Sequence, residues 1–131
     1  ISKKTSPIYQ EWLDMNHKHI TLALDAIKKK DMVELEKVTE KNCKMMHKVM
    51  KTSTPSISYM TDVTHSCIEE IDNLRSLGHK LFYTIDAGPQ VKIICDPKST
   101  EIIKDIIINR TDVIEVIHAG LGGAPRIINE D

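Results

Sequence analysis

LFYTIDAGPQVKII, residues 81–94, sets two apolar, β-favouring runs on either side of Asp86-Ala-Gly-Pro89. Leu81–Ile85 and Val91–Cys95 read as buried strands, and the residues between them suit a tight hairpin connection. Asp accepts hydrogen bonds from nearby amides, Gly88 takes a positive φ, and Pro89 fixes the exit. The same stretch admits a second reading. Ala87 and Gly88 carry almost no side chain, so a ligand can reach the backbone beside a carboxylate held between rigid strands. Such a carboxylate is equipped to orient or deprotonate a hydroxyl. From the residues alone, Asp86 is a turn former or a catalytic group.

Outward from this hairpin the periodicity is helical. Upstream, Ser6-Pro7 suits a helix start, and Ile8, Trp12, Met15, Ile20, Ala23, Leu24 and Ile27 recur at helical spacing to about Lys29. Asp31-Met-Val-Glu34 resembles a capping box opening a second helix, with Leu35, Val38, Cys43, Met46, Val49 and Met50 on one side. The two should form an antiparallel hairpin. Thr52–Ser56 is a loop by composition, and a third helix over Val63, Cys67, Ile68, Ile71 and Leu74 closes at Gly78. Downstream, Asp96-Pro97 starts a fourth helix ending near Asn109, and Val113–Ile117 reads as a further strand. The tail, Gly120–Pro125 then Arg126–Asn129, reads as a turn and a short edge strand. The expected fold class is α+β: a small antiparallel sheet of about three or four strands covered on one face by helices.

Composition narrows the functional classes. A chain of 131 residues supports a single domain, 1–131, with a real core. With only 4% aromatic residues that core must be built from Ile, Leu, Val and Met. Eighteen basic against 19 acidic residues leave no global field, so neither nucleic acid nor an anionic membrane is an expected partner. Lys28–Lys30 suits a helix C-terminus. Cys43, Cys67 and Cys95 are odd in number and widely spaced, which indicates neither disulfides nor zinc and favours a reducing cytoplasm. The six histidines show no ligand spacing with any cysteine, so no metal site is expected. No run is apolar for long enough to span a bilayer. The opening Ile1 suggests a piece of a longer protein. Ser6 also reads two ways, as a cap or as a phosphate ligand at a helix N-terminus.

Four landmarks in order carry a family resemblance: Thr5-Ser6-Pro7, Asn42 with Met46-His47, Pro55-Ser-Ile-Ser-Tyr59, and Tyr83-Thr-Ile-Asp86-Ala-Gly-Pro89. Together they resemble the C-terminal domain of the mevalonate diphosphate decarboxylases, within the superfamily of galactokinase, homoserine, mevalonate and phosphomevalonate kinases. The resemblance implies ATP-dependent decarboxylation of mevalonate 5-diphosphate to isopentenyl diphosphate in isoprenoid biosynthesis. Asp86 would be the catalytic aspartate beside the 3-hydroxyl, with Ser6, Ala87 and Gly88 on the substrate-binding surface. ATP and Mg2+ would be bound mainly by an absent N-terminal domain of the same chain, with no cofactor held by this fragment, which alone should be inactive. A homodimer is common in the family. Gln90 stands where the family usually has Asn. Two other readings remain: a stand-alone metabolite-binding or regulatory module, and a sister kinase that phosphorylates the 3-hydroxyl of mevalonate without decarboxylation.

Overall fold

The computed structural model describes residues 1–110 and 112–127. Its elements in chain order are α1 (Ser2–Thr5), α2 (Tyr9–Lys29), α3 (Met32–Lys51), α4 (Asp62–Ser76), β1 (Leu81–Thr84), β2 (Lys92–Cys95) and α5 (Thr100–Ile108).

Helices α2 and α3 form the expected antiparallel hairpin. Lys30 reverses the chain in the left-handed region at φ 56°, and the Asp31 carboxylate accepts from the Glu34 amide at 3.0 Å to start α3. The buried stripe of α2 is not the one its apolar residues suggest. His19 and Ala26 are buried against α3, whereas Ile20, Leu24 and Ile27 are more than half exposed. On α3 the expectation holds better, with Val38, Cys43 and Val49 buried.

The Thr61 hydroxyl caps α4 by accepting from the Thr64 amide, and Thr64 returns the bond to the Thr61 amide. Gly78, at φ 95°, follows the helix end and turns the chain into β1. Strand β1 pairs antiparallel with β2, with Leu81 opposite Cys95 and Thr84 opposite Lys92. Leu81, Tyr83 and Ile85 alternate into a core shared with Cys43 of α3, Ile71 and Leu74 of α4, and Ile103 and Ile107 of α5. The outer strand β2 turns Ile93 and Cys95 toward that core and Lys92 and Ile94 to solvent, whereas β1 is buried at Phe82 on its other face as well.

Four expectations are corrected, one of them at α5, which begins at Thr100 after the Ser99 cap and not at Asp96-Pro97. The first long helix begins at Tyr9, after an Ile8 cap with no side-chain bond, and Ser6 instead ends the short helix α1. Val113–Ile117 joins no ladder, so among the described residues the sheet has two strands rather than three or four. Val113 and Val116 lean on the core, but Ile114 is fully exposed. Gly120–Ile127 likewise forms no strand, and the rest of the proposed edge strand, Ile128 and Asn129, lies outside the described residues.

Candidate functional site

The Asp86 loop is fixed from three sides. Strand β1 ends at Thr84, and the next residue, Ile85, is completely buried and anchors the chain. The Ile85 carbonyl, free of the ladder, accepts from His47 Nε2 at 2.9 Å and from Cys43 Sγ at 3.5 Å, both on α3. A carbonyl can only accept, so His47 presents an Nε2–H here. At the far end of the loop the Pro89 carbonyl accepts from the buried Thr64 hydroxyl at 3.1 Å, in the first turn of α4. The two ends of the hairpin loop therefore hang on two different helices.

Between these anchors the loop faces water. The Asp86 side chain is 65% exposed and pairs with Lys92 Nζ at 3.0 Å. An ion pair so open contributes little to stability, so Lys92 can leave it at small cost. Ala87 is exposed, and Gly88 adopts φ 129°, which L side chains rarely take. The Gln90 side chain folds back over Gly88, and a Cβ at that glycine would collide with its amide. Burial pushes the Cys43 thiol pKa up, which leaves Cys43 a structural donor and not a thiolate nucleophile.

Ser6 lies elsewhere. It is 9% exposed and shares a 2.8 Å hydroxyl bond with Thr52, just past the end of α3. Thr52 Oγ1 donates to the Lys48 carbonyl at 2.8 Å, so Ser6 is the donor in that pair. Around it, Ser53 donates to Ser2 Oγ, and the Thr54 amide donates to Thr5 Oγ1 at 3.0 Å. The N-terminal segment is thus stitched by hydroxyls to the loop after α3. Asp86 and Ser6 make no direct contact, but α3 holds both: Ile85 is fixed at His47 and Ser6 at Thr52. Five residues of helix rise separate those attachments, about 7.5 Å at 1.5 Å per residue.

Sequence reasoning picked out Asp86, Ala87, Gly88 and Ser6, and it missed the side chains that set the loop. His47 was visible only as a landmark, and Thr64 had no local signal beyond a helix start. Among the described residues no group of three His, Cys, Asp or Glu is placed to hold a metal. No helix among them is long and apolar enough to cross a membrane.

Residues 1–118 match the model of the mevalonate 5-diphosphate decarboxylase C-terminal domain. The chain is 30% identical over 87 residues to the diphosphomevalonate decarboxylase of Gibberella zeae, a match covering 65% of this chain and 23% of that protein. The crystal structure of the Staphylococcus aureus mevalonate diphosphate decarboxylase superposes with a TM-score of 0.80 at 32% identity, over 85% of this chain and 34% of that one. The Enterococcus faecalis enzyme, in a structure described as showing mevalonate diphosphate mediated ATP binding, gives a TM-score of 0.79 at 29% identity, over 85% and 35% of the two chains. The chain therefore spans between about a quarter and a third of the length of these relatives.

Proposed function

This chain belongs to the mevalonate 5-diphosphate decarboxylase family as its C-terminal domain, and on that premise we propose that it supplies the catalytic carboxylate, Asp86, to an ATP-dependent decarboxylase converting mevalonate 5-diphosphate to isopentenyl diphosphate. One observation carries the assignment. An exposed carboxylate stands on a loop whose ends are fixed by His47 and Cys43 on one side and by Thr64 on the other. A mobile surface aspartate would have no need of such anchoring. Phosphoryl transfer depends on positioning and charge management, and this loop provides positioning.

In this reading Asp86 orients or deprotonates the tertiary 3-hydroxyl, which takes a phosphoryl group from ATP before phosphate and carbon dioxide depart. Ala87 and Gly88 let the substrate approach the backbone, because neither presents bulk beside the carboxylate. Lys92 shields Asp86 until the hydroxyl arrives. Ser6 belongs to the diphosphate end. Its hydroxyl proton, now given to Thr52, is free to turn to another acceptor, since Thr52 keeps its own partner in the Lys48 carbonyl.

Residues 1–131 act as a single domain, and the preceding domain of the same protein contributes the ATP and Mg2+ site. The fraction of each relative that this chain spans supports that division. Isolated, the chain turns over no substrate. A cytoplasmic setting fits Cys43, Cys67 and Cys95, all free thiols.

The test is Asp86→Asn in the full-length protein, followed by ATP-dependent release of carbon dioxide. Loss of a positioned acid–base group costs roughly 10²–10⁴-fold in rate. Activity within a few fold of the parent would reject the role. Phosphorylation of the substrate without carbon dioxide release in the parent enzyme would instead identify a sister kinase.

A further inference from the structure

Between Leu81 and Cys95 the chain carries one cation, Lys92, and one acid, Asp86. The fold brings them together, with Lys92 Nζ 3.0 Å from Asp86 Oδ2. The Lys92 backbone is fixed in the β2 ladder opposite Thr84, and its neighbours Val91 and Ile93 pack against the core. Alternation along the strand therefore sends the Lys92 stem to the solvent face, where it is half exposed and sweeps over the outer side of the hairpin. Lys44 of α3, which lies over the Tyr83 ring, is engaged with Glu40 at 3.4 Å and does not serve the loop.

The pair between Asp86 and Lys92 gives the fold little, since both partners are open to water. Its consequence is for the ligand, in a role that rests on the reading of Asp86 as the group that meets the 3-hydroxyl. Mevalonate 5-diphosphate carries a diphosphate at one end and a carboxylate at the other, the latter joined to the hydroxyl-bearing carbon through a single methylene. When the hydroxyl reaches Asp86, the substrate carboxylate arrives close by, and two carboxylates side by side repel. A cation at this spot removes the conflict. The lysine stem is flexible and its ammonium a compact charge, so it turns from one anion to the next without moving the backbone. In this reading the diphosphate lies at the Ser6 end, and the transferred phosphoryl group arrives only with ATP.

We propose that Lys92 is a substrate-binding residue: as the 3-hydroxyl takes its place on Asp86, the ammonium passes to the substrate carboxylate and holds it until carbon dioxide leaves. One ion pair is exchanged for another, so no charge is stranded. A cation on the carboxylate stabilises the bound acid and not the departing carbon dioxide, so the contact serves binding and selection of the substrate rather than rate.

The full-length protein is titrated calorimetrically without ATP, where no turnover occurs. The two ligands are mevalonate 5-diphosphate and 3-hydroxy-3-methylbutyl diphosphate, which lacks the carboxylate. Lys92→Met should weaken mevalonate 5-diphosphate roughly tenfold, through loss of one charge-assisted contact. Binding of the carboxylate-free compound should stay within about twofold, which also shows the site intact. Lys92→Arg should return mevalonate 5-diphosphate to within about threefold of the parent, because it keeps the charge and the donors. At saturating substrate and ATP, kcat of Lys92→Met should stay within about threefold of the parent, a split that a structural role would not produce. Equal weakening of both compounds would put the ammonium on the diphosphate and overturn the proposal; unchanged binding, or a fall in kcat alone, overturns it too. With any of these, Asp86 keeps its role if Asp86→Asn still abolishes carbon dioxide release. Activity near the parent's in Asp86→Asn removes both.

Discussion

Leu81–Ile85 and Val113–Ile117 are both short apolar runs of strand-forming residues, yet the molecule treats them in opposite ways. The first has β2 bonded to one side, helices α3 and α4 packed against it, and side-chain donors on the carbonyls at both ends of the loop that follows. The second touches the core through Val113 and Val116 alone and leaves Ile114 and Ile117 in water. Its firm tie is at its root, where Arg110 reaches Asp112 through two bonds at 3.0 and 3.1 Å and also meets Ser66 and Glu70 on α4. Apolar composition supplies the tendency to extend. Partners for the backbone decide whether the segment becomes a rigid platform.

The comparison breaks most severely at Ile85. Truncation by Ile85→Ala removes a fully buried side chain and should cost about 2–5 kcal/mol in denaturant unfolding; a loss below about 1 kcal/mol would mean that the anchor is not part of the core. Next comes Thr64→Val, which takes the acceptor from the Thr61 amide, half of the capping box, and leaves the Pro89 carbonyl without its donor. About 1–2 kcal/mol should go, with faster hydrogen exchange in residues 86–90 but not in residues 113–127. Uniform acceleration of both regions would show that Thr64 supports the fold in general and not the loop.

Acid sharpens the contrast from the other side. Hydrogen bonds from Arg110 hold the Asp112 pKa below its usual 3.8, so the folded state keeps this carboxylate ionised where the unfolded chain already takes up a proton. The contribution is complete above 3.8 and is lost as pH falls through the lower folded value. Protease cleavage within residues 113–127 should therefore rise in strong acid before cleavage near Asp86 does, and Asp112→Asn should bring that susceptibility to neutral pH. The smallest effect belongs to Ile114→Ser. At a position already fully exposed the change in stability should stay within about 0.5 kcal/mol, and a larger loss would show that the segment packs more tightly than its exposure indicates.

Much of the local structure was legible because its causes are local. The Asp31 cap, the turn after Lys29, the glycine beyond α4 and the hairpin around Asp86-Ala-Gly-Pro89 each depend on residues within a few positions of one another. The Ser6 cap failed for a long-range reason. Its hydroxyl bonds to Thr52, 46 positions away, and the helix then begins without it. The buried stripe of α2 was misjudged for a related reason: a part-buried polar chain through Asn16, His19 and Asn42 took the interface that the apolar spacing gives to Ile20 and Leu24.

By itself the sequence determined the start of α3 at Asp31, the end of α4 at Gly78, the hairpin, and the ordered landmarks that place the chain in its family, because propensities and short motifs act over a few residues. Only the tertiary structure decided that His47 and Thr64 hold the Asp86 loop, that Val113–Ile117 stays out of the sheet, and that Asn42 ties Asn16 to the buried His19. Each of those outcomes depends on which distant backbone or side-chain group is brought within hydrogen-bonding reach, and that follows from packing rather than from neighbours along the chain.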